Sequence, residues 1–334
     1  MGPHEMKRLA FAVAAVLGLT TFAGPVPAQD RYPSKPIKII VPYVPGGATD
    51  IVARILAEQL GKNLGQTVYV ENKPGAFGII AIEDMVRSGA DGYTLMIGNV
   101  STNAITPIIY AAKLKIDYAK AVVPITDIVD IPAFLLATTR NFEVKTVAEL
   151  IAYAKNNPGQ LRYGTVGPGS YPHYDMAYFA KRAGDLDMIA IPNKAGATGV
   201  INDMLNGSTQ IAFLNVASTA PQIKAGTLRA LALIDHARLG DFPDLPTMQE
   251  LGFPGVGTIA WQGLFAPGGT PKQVLQAIFA AAIAAIKAPA VADAFAKQGF
   301  NLVPNASLDE AKTWLGQEMA RWRNITGAVK IETE

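Results

Sequence analysis

The sequence predicts an α/β protein of two lobes, each a mostly parallel sheet flanked by helices. Three observations carry this. β-Branched runs end in loops rich in glycine and proline and then give way to apolar residues at helical spacing, several times in succession. These units fall into two series, and a helix-rich tail returns after the second. The chain has 334 residues, 50% hydrophobic and 17% charged, with 31 glycines and 23 prolines, so it can fill two cores joined by many short loops.

The first series opens with the run Ile37-Lys38-Ile39-Ile40-Val41, stopped by Pro42 and Pro45. After Gly46-Gly47-Ala48, the residues Ile51, Val52, Ile55, Leu56 and Leu60 take helical spacing, and the helix is expected from Thr49 or Asp50. Val68-Tyr69-Val70 leads in the same way through Pro74-Gly75-Ala76-Phe77-Gly78 to a helix reaching Val86, and Tyr93 to Ile97 forms a third strand before Gly98-Asn99-Val100-Ser101. In the second series, helices are expected at 150–155, 174–183 and 198–205, and strands at 161–163, 188–191, 211–213 and 229–234. The tail holds a strand around Ile259-Ala260-Trp261 and helices at 271–288, 290–298 and 308–329. Two crossings between lobes are expected, near Asp130 to Ala133 and near Val256 to Thr258. The lobes are then 29–132 with 258–334, and 133–257.

Composition removes several functions. No cysteine means no disulfide framework and no thiolate metal site. A net charge of +2 comes from interspersed charges without a basic, aromatic-rich stripe, so nucleic acid is not an expected partner. Met6-Lys7-Arg8, the apolar stretch Leu9 to Ala23 and the small residues around Val26-Pro27-Ala28 read as a secretory signal peptide over residues 1–28, too short to span a membrane. Its removal leaves 27 Lys and Arg against 26 Asp and Glu. The mature chain is expected to be exported.

In an open parallel sheet, ligands bind beyond the carboxyl ends of the strands, where helix N-termini favour anions. Two loops fit that position: Pro42 to Asp50, and Gly164 to His173 ahead of a helix. Together they could hold a carboxylate between the lobes. Each is equally a turn with a capped helix, Asp50 or Ser170 supplying the cap. Polar side chains at other strand ends, Asn99, Ser101, Asn193, Thr198, Asn215 and Ser218, would complete a pocket. Trp261, where the chain crosses back, either walls the cleft or packs in a core.

Enzyme signatures are missing: there is no G-x-S-x-G, no G-x-x-x-x-G-K-[ST] and no G-x-G-x-x-G. Ser170 and His173 admit a nucleophile-and-base reading as an exported hydrolase, but three residues apart at a helix start they fit capping and ligand contact better. No metal site is expected from these residues.

Seven motifs in order then give a resemblance. They are Tyr32-Pro33-Ser34-Lys35-Pro36-Ile37 with Pro42-x-x-Pro45-Gly46-Gly47-Ala48-Thr49-Asp50; Val70-Glu71-Asn72-Lys73-Pro74-Gly75-Ala76; Asp91-Gly92-Tyr93-Thr94-Leu95; Tyr163-Gly164-Thr165; Gly169-Ser170-x-Pro172-His173; Lys224-Ala225-Gly226-x-Leu228-Arg229-Ala230-Leu231-Ala232; and Phe265-Ala266-Pro267-x-Gly269-Thr270-Pro271. Across nearly the whole mature chain they resemble the Bug family, the TctC-like periplasmic solute receptors of tripartite tricarboxylate transporters.

The resemblance implies a two-lobed periplasmic binding protein fold, type II-like, closing as a monomer on a small carboxylate or aromatic acid and delivering it to a membrane permease, with no cofactor. An exported sensor for the same ligands would share the cleft. By matching position it points to Tyr43, Gly46, Gly47, Ala48, Thr49, Asp50, Gly75, Ala76, Asn99, Ser101, Thr165, Gly169, Ser170, His173, Lys194, Asn215 and Val216 as ligand-binding, with Asp50 capping its helix. Departures bear on the ligand. Phe77 replaces a frequent glycine and would narrow the cleft or stack on a ring; Leu214 replaces a frequent aspartate and removes a partner for a ligand ammonium; Asn193 stands for a frequent tyrosine; and Asp175 could accept from a ligand donor. These favour a plain dicarboxylate or an aromatic acid over an amino acid.

Overall fold

The computed structural model describes residues 32–193 and 195–331. The signal peptide expected at 1–28 and the candidate Lys194 lie outside the described residues.

Strand β1 (Ile37–Val41) is almost wholly buried and pairs in parallel with both β2 (Val68–Asn72) and β3 (Thr94–Asn99). Helix α1 (Ala48–Leu64) connects the first pair. It buries Val52, Ala53, Leu56, Ala57 and Leu60, a stripe at helical spacing in which each large side chain contributes roughly 1.5–3 kcal/mol. It stops at Gly65, whose positive φ and N–H to the Gly61 carbonyl form a left-handed cap. Helix α2 (Ile79–Arg87) leads to β3, and a six-residue π turn, Val100–Ile105, follows it.

Strand β4 (Val122–Ile131) belongs to this first sheet and β5 (Ala133–Thr138) to the second, with only Pro132 between them. The second lobe then adds α3 (Val147–Asn156), β6 (Leu161–Thr165), α4 (Tyr171–Arg182), β7 (Met188–Pro192), α5 (Gly196–Asn206), β8 (Ile211–Asn215), α6 (Val216–Lys224) and β9 (Leu228–Ile234). The chain returns to the first sheet through β10 (Ala260–Pro267) and ends with α7 (Lys272–Ile286), α8 (Pro289–Lys297), β11 (Asn301–Leu302) and α9 (Leu308–Ala328).

The strand orders are β11-β4-β10-β3-β1-β2 and β7-β6-β8-β5-β9. Both sheets are mixed, which corrects the expectation of mostly parallel ones. The βαβ units build a parallel half in each, while β10 runs antiparallel to both β3 and β4, and β5 antiparallel to both β8 and β9. The cause is topological: one strand carries the chain out of the first sheet and another brings it back, so the two lie side by side in opposite directions.

Each lobe has its own core. In the second lobe, Leu135, Phe179 and Phe213 pack on one face of the sheet and Phe134, Val200 and Met204 on the other. In the first, Met96, Trp261, Phe265 and Trp322 form a cluster that also takes in Tyr174 of α4, so the last helix touches both lobes. No single helix among the described residues is long and apolar enough to cross a membrane.

Candidate functional site

The loop after β1 is fastened by Asp50. Its carboxylate accepts the Gly46 N–H at 2.9 Å, the Arg54 guanidinium at 2.9 and 3.0 Å, and the Asn72 amide at 2.9 Å. Burial alone would push this carboxyl up, but the Arg54, Gly46 and Asn72 donors outweigh it and hold it below the usual range. Asp50 therefore sits in the first turn as an internal clip, and the Gly46 N–H is already spent on it. The helix starts at Ala48, ahead of the expected Thr49 or Asp50, with Gly47 as an N-cap that makes no side-chain capping bond. Among the described residues nothing stands within 4 Å of where a Cβ on Gly47 would be, so the backbone is open there.

Three candidates meet at the end of β3. Tyr43 Oη donates to Asn99 Oδ1 at 2.8 Å, and Asn99 Nδ2 donates to Thr49 Oγ1 at 3.3 Å. Asn99 also caps the π turn, exchanging bonds with Thr102 of 3.1 and 3.2 Å. Burial pushes the Tyr43 phenol up to about 12 against the Asn99 and Thr102 hydrogen bonds, so it stays a protonated donor. Nearby, Gly75, Ala76, Phe77 and Gly78 all have positive φ. For Ala76 and Phe77 this costs about 1–2 kcal/mol each, strain that a binding loop can store. The Phe77 ring stacks on Tyr110 at 4.7 Å and remains 43% exposed.

From the second lobe, Thr165 and Ser170 lie 3.1 Å apart, and Ser170 Oγ donates to the Gly167 carbonyl at 2.7 Å. Gly169 supplies a positive φ just before, and Ser170 is the N-cap of α4 without a side-chain capping bond. Across the lobes, the Tyr171 N–H reaches Ser101 Oγ at 3.4 Å. Asn215 caps α6 through the Ser218 N–H at 2.8 Å, and the Val216 N–H donates to Pro132 O at 2.8 Å. Val216 is thus tied to the crossing between sheets.

Three candidates stand elsewhere. Asp175 is buried, accepts the Thr258 hydroxyl at 2.7 Å, and is pushed up to about 7 by burial against the field of Arg321. His173 is pushed down to about 4 by burial, and its Nδ1 has no hydrogen-bond partner among the described residues. Its ring leans on Tyr163 at 5.8 Å. Because the Ser170 proton goes to a carbonyl, the pair does not form a nucleophile with its base. Trp261 donates Nε1–H to Glu318 at 2.9 Å and meets Trp314 edge-on at 4.8 Å. It projects from the sheet face opposite Asn99, because Asn99 is paired directly with Gln262, the next residue along β10. The sequence reading missed Asn72 and Thr102, both second partners of candidates; Asn72 lay inside a quoted motif without a role.

Two lobes joined at adjacent crossings, with the Tyr171 N–H of one reaching Ser101 of the other, have the architecture of a solute-binding protein. Residues 52–331 match the family described as the tripartite tricarboxylate transporter family receptor, TctC, and the chain belongs to that family of periplasmic solute-binding receptors. It is 33% identical to Protein BugT of Bordetella pertussis over 327 residues, 97% of this chain and 99% of that protein. Among solved structures, the periplasmic binding protein BugD superposes with a TM-score of 0.77 at 28% identity, covering 91% of this chain and all of that one. Rhodopseudomonas palustris Rpa4515 with adipate gives 0.80 at 29%, covering 90% and 99%. MatC from the same organism with bound malate gives 0.77 at 26%, covering 88% and 99%.

Proposed function

We propose that this chain is exported and captures an aliphatic dicarboxylate between its lobes, as a periplasmic monomer that delivers the ligand to the membrane permease of a tripartite tricarboxylate transporter. Its lobes are 29–132 with 258–334, and 133–257, after removal of residues 1–28. The observation that carries the reading is the pair of helix N-termini, at Gly47 and at Ser170, that lack side-chain caps and lie at the carboxyl ends of strands in opposite lobes. Free N–H groups and the helix dipole favour an anion at such ends. Thr49, Asn99 and Ser101 on one side and Asn215 on the other add neutral donors for a carboxylate without a fixed countercharge, while Tyr43, Thr165 and Ser170 give their protons to Asn99 and Gly167 and shape the loops around it.

The choice of aliphatic over aromatic acid rests on two things. Phe77 already stacks on Tyr110, so it serves to fill space. Two solved relatives are the complexes with adipate and malate. The test is a thermal-shift and calorimetry screen of the chain from Gln29 against malate, succinate, adipate, benzoate and phthalate. At a hundredfold excess over Kd, a ligand binding only the native state adds about 2.7 kcal/mol. For a chain of this size that raises Tm by roughly 4 °C. The expected result is such a rise with aliphatic dicarboxylates and no change in the ligand itself. A response confined to aromatic acids would overturn the assignment of Phe77, and none with any carboxylate would overturn the site.

A further inference from the structure

A cavity of about 520 Å³ lies between the last helix, the end of β4 and the second crossing. It is separate from the site above. Asn99 and Gln262, directly paired, share one face of the first sheet; Trp261, and Asp130 paired with it, project from the other, and both line this cavity. The second lobe contributes Asp235 and His236 to the same wall.

Four carboxylates line it, Asp127, Asp130, Asp235 and Glu318, against the single guanidinium of Arg321. That guanidinium is engaged: one nitrogen donates to the Gly257 carbonyl at 2.9 Å and another stands 3.9 Å from Glu318. Glu318 accepts the Trp261 Nε1–H as well. Asp127 is only 4% exposed, yet among the described residues its carboxylate receives one bond, from the Ile128 N–H to Oδ1 at 2.8 Å, which leaves Oδ2 without a donor. The Asp130 carboxylate has neither a hydrogen bond nor an ion pair among the described residues; His236 alone supplies a favourable field, opposed by Glu318 and Asp235. Burial pushes Asp127 well above the usual carboxylate range and Asp130 up to about 6. Carboxylates shielded from water and short of donors are costly as anions unless they take up a proton or a cation completes them.

The shape of the cavity selects the kind of cation. No three carboxylate or imidazole groups among the described residues converge closely enough to hold a metal ion. The rest of the lining is largely aromatic and apolar, with Trp261, Trp314, Phe253 and Ile259 beside the carboxylates. Indole faces attract ammonium groups, and an apolar wall covers a carbon chain. We propose that this cavity is a second binding site of the protein, for a small organic ammonium ion whose charged end meets Asp127 and Asp130 and whose carbon body lies against Trp261 and Trp314.

Two of the chain's three tryptophans line the cavity, so intrinsic fluorescence reports on it directly. The mature protein would be titrated with butane-1,4-diamine, with butane-1,4-diol and magnesium chloride at matched ionic strength as controls. The expected result is a saturable change with the diamine alone, complete below about 10 mM. Asp130→Asn, which keeps the volume, should weaken it roughly tenfold or more, and Glu318→Gln, which keeps an acceptor for Trp261, should do the same. Circular dichroism confirms that each variant is folded. An equal response to the diol, no saturation by about 10 mM diamine, or unchanged affinity in both variants would overturn the site.

Discussion

Asp50 and Asp175 are both 3–4% exposed or less by side chain or residue, both sit within the first five residues of a helix, and yet they titrate in opposite directions. Donors decide the difference. Asp50 gathers a guanidinium, an amide and a backbone N–H, which overcome its burial; Asp175 has the Thr258 hydroxyl and the more distant Arg321, which do not. The folded-state value of Asp175, about 7, lies above the ordinary 3.8 of the unfolded chain. Its contribution is therefore fully present below pH 4 and is lost as pH rises through 7, by about 2–4 kcal/mol. Asp130 slopes the same way, while His173, held near 4, adds stability as pH rises from 4 towards 6.5. Comparing Asp175→Asn with the parent cancels those neighbours, and the asparagine carbonyl still accepts from Thr258. Urea denaturation at pH 4.5 and pH 8 should show the variant gaining about 2 kcal/mol or more on the parent between the two conditions. Parallel pH profiles would mean that Asp175 is ionised throughout.

The π turn after β3 shows what an element contributes to the site. Asn99 caps it, and inside it Asn103 is wholly buried, taking the Thr102 hydroxyl at 2.6 Å and donating to Tyr118 Oη at 2.9 Å. A Cβ on Gly98 would collide with the Asn103 amide, whose two bonds leave it no other position. Gly98→Ala should therefore destabilise the fold by about 2–3 kcal/mol. Because the clash is with one side chain, the double variant with Asn103→Ala should cost clearly less than the two single costs added, a coupling that denaturation curves measure. Additive costs would place the strain in the backbone instead. None of this turn is legible in the sequence, where Gly98-Asn99-Val100-Ser101 reads as a loop. The βαβ units are legible, because Ile37–Val41 and the stripe from Val52 to Leu60 change period across one glycine pair. Strand β4 is not, since Pro124, Thr126, Asp127 and Asp130 interrupt its apolar pattern; Asp127 and Asp130 line the cavity, and Asn305 accepts the Asp127 N–H at 2.7 Å and donates its own N–H to Thr126 Oγ1 at 3.1 Å. The candidate loops could be found by their glycines and by position in the sheet, but the internal role of Asp50 and the placing of Trp261 on the other sheet face depend on Asn72 and Glu318, partners 22 and 57 residues away.

At the scale of the whole molecule, the lobes are strapped together at the second crossing. Arg321, on a helix that packs against the first sheet, donates to the Gly257 carbonyl at 2.9 Å and reaches Thr258 Oγ1 at 3.4 Å; that hydroxyl in turn donates to Asp175 of the second lobe. A relay running from one lobe through the crossing to the other resists opening, since separation leaves the buried Asp175 without its donor. In the proposed capture between the lobes, apparent affinity scales with the share of molecules already able to close. Arg321→Ala removes the relay at its first member and should widen the distribution of lobe angles in the free protein. Small-angle scattering of the ligand-free variant should give a larger radius of gyration than the parent, and calorimetry should give an apparent Kd weaker by roughly three- to tenfold. Saturating ligand should bring the two proteins back to one radius, since closed lobes make the same contacts with or without the strap. If the free variant scatters like the parent while affinity still falls, Arg321 acts on the ligand through charge and not through the hinge. If neither changes, the crossing is held by its backbone alone, through the Val216 N–H bond to Pro132 and the paired strands β4 and β10.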